Sequence, residues 1–127
     1  MQSQKIETIA RLDRMYKNLD SGMTRTKYLN MCEQMEKEPH DEEIPPDWED
    51  FPEVAKDAIN TFNQLGDRVY PEIGYVGKDY TNLYYYKEVY CIEDMEFFLE
   101  ILTWLDSRAI KKSSDDLKRQ YEKLKRK

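Results

Sequence analysis

Met95-Glu-Phe-Phe-Leu-Glu-Ile-Leu-Thr-Trp-Leu105 is the stretch whose reading decides the fold. Eight of its eleven residues are apolar. A helix lying on the outside of a domain carries an apolar stripe on one side only. This stretch is too rich for a stripe, so it predicts a central helix that neighbours contact from several directions.

Helical spacing also governs the chain before it. Ile6, Ile9, Leu12, Tyr16 and Leu19 recur at three and four, which predicts a first helix that stops near Gly22. Thr24 is placed to cap a second helix whose inner face holds Tyr28, Met31, Cys32 and Met35, with Pro39 beyond its end. The pair reads as an antiparallel hairpin of helices. The run from Glu36 to Asp50 has eight Asp/Glu, one Lys and three prolines, and predicts an extended acidic loop. Trp48 sits in that loop, where an indole either docks back on the core or meets a partner.

Asp50-Phe51-Pro52-Glu53 has the marks of a helix start, and Phe51, Ala55, Ala58, Ile59, Phe62 and Leu65 give the third helix one apolar face. Pro71, Gly74 and Gly77 punctuate residues 68–80, which read as a structured loop or a short β-ribbon. Asp79 or Thr81 is placed to cap a fourth helix with Leu83, Tyr86, Val89 and Tyr90, although Tyr84-Tyr85-Tyr86 also suits a strand. After Leu105 the apolar signal thins to Leu117, Tyr121 and Leu124. Ser113-Ser114-Asp115-Asp116 resembles a capping box, where the helix is expected to break and restart. These readings predict an all-α fold: a small bundle of about five helices, with a long acidic Pro-rich loop over 36–50 and a basic C-terminal helix. A single helical domain is expected over 1–110, followed by a basic helical tail over 111–127.

Charge is unevenly distributed along the chain. Residues 107–127 hold nine Lys/Arg against three Asp/Glu, a charge of +6 on a chain whose formal net charge is −6. Residues 1–106 therefore carry −12. Such asymmetry concerns how a protein meets partners rather than what chemistry it performs. The aromatic content of 13% argues for an ordered body, since disordered segments are poor in aromatics. Apolar runs are too short for a membrane span, and the start lacks the apolar run of a secretory signal. Cys32 and Cys91 form no paired motif and read as reduced thiols, so the expected compartment is the cytoplasm, the host's if the chain is viral.

The residues offer little to catalysis. His40 is the only histidine and lies in the acidic loop beside Asp41, Glu42 and Glu43. Two separated cysteines and one histidine do not make a zinc site, and the acidic loop lacks the order of a calcium loop. Gly74-Tyr-Val-Gly77-Lys78-Asp79 has the wrong spacing for a phosphate loop, and Asp79 would repel phosphate. No catalytic residue, metal ligand or cofactor is expected, and the chain reads as non-enzymatic. The expected contacts with a partner are Trp48, Lys78, Leu117, Lys118, Arg119, Tyr121, Lys123, Leu124, Lys125 and Arg126.

Ile44-Pro45-Pro46-Asp47-Trp48 leading to Phe51, the helix ending Phe62-Asn63-Gln64-Leu65, and Gly77-Lys78-Asp79-Tyr80 with Leu83 follow one another along the chain. With Tyr90-Cys91-Ile92 and the Phe98/Leu102/Leu105 helix, residues 44–106 resemble small tailed-bacteriophage proteins of the tail-assembly-chaperone type. Lys78 departs from the pattern, where an apolar residue is more usual. The resemblance implies a non-enzymatic helical protein that shields a helical partner, such as a tape-measure chain, during virion assembly. Two other classes of function fit the charges. The acidic body suits an inhibitor that mimics nucleic acid and occupies a DNA-binding enzyme. The basic tail suits an accessory protein that binds nucleic acid, a partner less favoured here than protein. The tail is expected to be mobile alone, or to be ordered by a partner chain or by self-association through Leu117, Tyr121 and Leu124.

Overall fold

In the computed structural model, residues 2–126 are described, and the chain gathers into two compact units, one ending at Glu53 and the other beginning at Val54. The first unit opens with helix α1 (Gln2–Ser21) and helix α2 (Arg25–Gln34). Gly22 adopts φ +76, which lets the Met23 amide close back on Asn18 O at 2.9 Å and stop α1. Thr24 caps α2 as expected, accepting from the Lys27 amide at 3.1 Å. Leu12, Tyr28 and Cys32 are buried, whereas Ile6 and Leu19, at the two ends of the α1 stripe, are 70% and 63% exposed.

The acidic loop is tied down rather than loose. Arg14 donates to Glu42 O at 2.6 Å, and Arg25 donates to Pro45 O at 3.0 Å and to Asp50 Oδ2 at 2.5 Å. Tyr28 Oη donates to Glu43 Oε2 at 3.0 Å and accepts from the His40 amide at 3.3 Å. Burial is the largest influence on the Tyr28 phenol and pushes its pKa up to about 12. Asp50 does not cap the third helix: it accepts from the Asp47 amide at 2.8 Å inside a short 3₁₀ turn, Trp48–Asp50. That amide, followed by Arg25, holds the Asp50 carboxyl below the usual carboxylate range.

The second unit corrects the all-α expectation. Helix α3 (Glu53–Gln64) leads into strands β1 (Asp67–Tyr70) and β2 (Gly74–Lys78), an antiparallel pair. Asp67 stands opposite Lys78 and Tyr70 opposite Gly74, with a bulge between Arg68 and Val69. Gly77 meets the bulge at φ +128, where a Cβ would stand 3.0 Å from Arg68 Nη2 and 3.2 Å from Asp106 Oδ2. Helix α4 (Leu83–Val89) settles the tyrosine run as helix.

Helix α5 (Met95–Lys125) begins at Asp94, whose side chain accepts from the Phe97 amide at 3.1 Å. It runs for 31 residues, about 46 Å, without the expected break at Ser113. Phe97, Phe98, Ile101, Leu102, Leu105 and Asp106 are buried, so the stretch read as central is central to this unit. The expected tail boundary at 110/111 falls inside this helix. Ser113 faces the hairpin instead of capping a new helix, its Oγ accepting from the Tyr75 amide at 3.3 Å. Among the described residues, no helix is long and apolar enough to cross a membrane.

Candidate protein-interaction surface

Asp106 fixes α5 to the hairpin. Its carboxylate accepts from Tyr75 Oη, from Tyr80 Oη at 2.7 Å and from the Lys78 amide at 3.1 Å. Burial is the largest influence on Asp106 and pushes its pKa up, but the hydrogen bonds from Tyr75, Tyr80 and Lys78 together outweigh it. The carboxyl is held below its ordinary value. Burial and the adjacent carboxylate push both phenols well above theirs. All three groups keep their protonation states across the neutral range, which suits a structural clasp rather than proton exchange.

Lys78, expected to face a partner, is instead buried at 8% exposure. Its Nζ donates to Leu65 O at 3.2 Å and to Asp67 Oδ1 at 2.6 Å, and stands 4.5 Å from the centre of the Phe62 ring. A buried ammonium persists only when paired and hydrogen-bonded, and these contacts meet that need. Lys78 is therefore a contact of the interior. Its stem supplies the apolar body that the position needs, while its charge closes the ends of α3 and β1.

The hairpin covers one edge of this side of α5, at Asp106, Ser113 and Leu117, and the rest of that side remains open. Leu99, Thr103, Ile110, Leu117, Tyr121 and Leu124 recur near whole turns and share one face. Leu99 is 41% exposed, Tyr121 54% and Leu124 67%, and Leu117 is half-buried. Beside the first half of this face lies a groove of about 440 Å³, walled by Tyr80 and Leu83 and floored by Leu99, Thr103 and Ile110. Beside the second half, Lys111, Lys118 and Lys125 form one row, each followed by a second cation at Lys112, Arg119 and Arg126. Seven residues are almost two turns, so the Lys111 row stays on one flank of the face, while the Lys112 row lies on the back of the helix.

The other expected contacts divide between the units. Lys118, Arg119, Lys123, Lys125 and Arg126 are exposed along the end of α5. Trp48 lies in the first unit at 38% exposure, neither deeply docked nor fully presented. Leu117 contributes to the face but is also braced by the hairpin: a Cβ on Gly74 would stand 2.8 Å from its Cδ1. Leu99, Thr103 and Ile110 belong to the same face and escaped the sequence reading. The signal was present as a seven-residue repeat, Ile110-Lys-Lys, Leu117-Lys-Arg and Leu124-Lys-Arg. Among the described residues, no cluster of three or more His, Cys, Asp or Glu side chains is placed to hold a metal ion.

Compared with protein-family models, curated proteins and solved structures, the chain matches none.

Proposed function

We propose that this chain is a non-enzymatic assembly protein, an adaptor or chaperone, that holds an amphipathic helix of a protein partner on the open face of α5. The observation that carries this reading is the row Leu99, Thr103, Ile110, Tyr121 and Leu124, exposed around a half-buried Leu117 and bordered by lysines at a seven-residue period. A helix lays its apolar side into such a groove and is read at turn spacing. The flanking lysines select a partner helix with an acidic border and make the encounter salt-sensitive. A phage tail-assembly chaperone is the narrower form of the reading, in which the captured helix belongs to a tape-measure chain.

Fluorescence anisotropy tests the reading with two labelled amphipathic helical peptides, identical except that one carries Glu and the other Lys on its flanks. The Glu-flanked peptide binds, and added salt weakens it. Tyr121→Ala with Leu124→Ala lowers its affinity about tenfold or more, since apolar anchors carry most of such an interface. Equal binding of both peptides, or full affinity in the double variant, overturns the proposal.

A further inference from the structure

We infer that the open face of α5 is self-complementary and that two copies of this chain pair through it with their long helices antiparallel. The inference rests on reading that face as a protein-binding surface and names a second copy as its occupant. Charge along one flank of α5 changes sign with position. Glu96 and Glu100 are exposed near its start, and Lys111, Lys118 and Lys125 are exposed on the same side toward its end.

Reversing a second α5 about Ile110 sets Leu99 opposite Tyr121 and Thr103 opposite Leu117. It also brings Lys125 and Lys118 to within one and two residues of the positions opposite Glu96 and Glu100. In antiparallel helix pairs like flanks face each other, so every acidic end meets a basic end on both sides of the axis. Parallel pairing would instead stack the +6 stretch of residues 107–127 on its own copy. A two-fold axis needs one patch that fits itself, and this face meets that condition. The occupant of the groove follows as well. Tyr121 and Leu124, exposed on one copy, enter the groove between Leu99, Tyr80 and Leu83 of the other. The end of α5 thus gains the apolar cover that a thin seam lacks in isolation.

Charge reversal in the full chain tests the pairing by sedimentation. The unaltered protein sediments as a dimer. Lys118→Glu with Lys125→Glu makes the flank acidic at every position but Lys111, beside the axis, and Glu96→Lys with Glu100→Lys makes it wholly basic. Each double variant alone sediments as a monomer, and an equal mixture of the two forms a heterodimer. Dimerisation of either variant alone, or no heterodimer in the mixture, overturns the inference.

Cysteine cross-linking checks the direction of the helices without altering charge. In a Cys91→Ser background, Ile110→Cys gives a disulfide-linked dimer under mild oxidation, because that position meets itself at the axis. Leu124→Cys gives none, and linkage at both positions means parallel pairing and defeats the inference. A monomeric unaltered protein that still binds the Glu-flanked peptide defeats self-pairing while leaving the helix-binding reading in place. Loss of both removes the face as a binding surface.

Discussion

Leu117 stands against Gly74, its Cδ1 2.8 Å from the point where a Cβ on that glycine would be built. Ser113 Oγ lies 3.1 Å from the same point and accepts from the neighbouring Tyr75 amide. The hairpin and the later half of α5 therefore close on each other at a place that has no room for a side chain. The basic end of the chain is rooted in the second unit, and only its last two turns extend beyond that root.

Gly74→Ala meets both a steric and a conformational obstacle. The new methyl would overlap Leu117, and φ +84 is a left-handed conformation that residues with a Cβ avoid. Overpacking alone costs about 1–3 kcal/mol, so urea unfolding should show at least that loss. An unchanged midpoint would mean that the hairpin does not close on α5.

Truncation separates the root from the extension. Removing 118–127 deletes residues that are exposed from Lys118 to Arg126 and should leave the melting transition nearly in place. Removing 112–127 also deletes Ser113 and Leu117 and should lower it clearly. Equal melting temperatures for the two truncations would place the boundary of the folded unit before Lys112.

Asp106 makes stability depend on pH from both sides. Its folded pKa is depressed, so its contribution is present above the unfolded value near 3.9 and is lost as pH falls through the folded value. The phenols of Tyr75 and Tyr80 are shifted upward. Their contribution is present below the unfolded value near 10 and declines as pH rises above it toward the folded values. Asp106→Asn sets an amide N–H against a donor and should cost about 1–3 kcal/mol at neutral pH. Thermal melts of both proteins should converge in acid, once the wild-type carboxyl is protonated. A gap that stays constant through acid would show that the charge of Asp106 is not what holds the clasp.

Thr61 is fully buried in α3, and its Oγ1 has no hydrogen-bond partner. A buried hydroxyl left unpaired costs free energy that an apolar group of the same shape does not. Thr61→Val should therefore raise stability by up to about 1 kcal/mol, measured by denaturant midpoint. A loss of stability would show that the hydroxyl is satisfied in solution.

Much of the helical layout was legible in the amino acids themselves. The density of apolar residues in Met95–Leu105 marks a helix that must be covered on several sides, and Phe98, Ile101 and Leu102 are nearly inaccessible. Thr24 and Gly22 act within one turn of where they stand, so capping chemistry places the ends of α1 and α2. The candidate surface was half legible. Leu117, Tyr121 and Leu124 stand out in a polar stretch, whereas Leu99 and Thr103 are camouflaged by the apolar run around them, and Ile110 shows only as the first member of the seven-residue repeat.

Periodicity, caps and charge runs arise from neighbours in the chain, and by themselves they determine α1, α2, α3 and the first half of α5, the acidic loop and the opposite charge of the two ends. They leave Tyr84-Tyr85-Tyr86 open between helix and strand. The tertiary structure alone decides that residues 67–78 pair as strands and that Lys78 turns inward. It also decides that Ser113 faces Tyr75 and that one side of α5 stays open. Each of these outcomes joins residues far apart in sequence through a contact made only once the chain has folded. A glycine, a serine or a lysine carries no local mark of the neighbour that folding will bring to it.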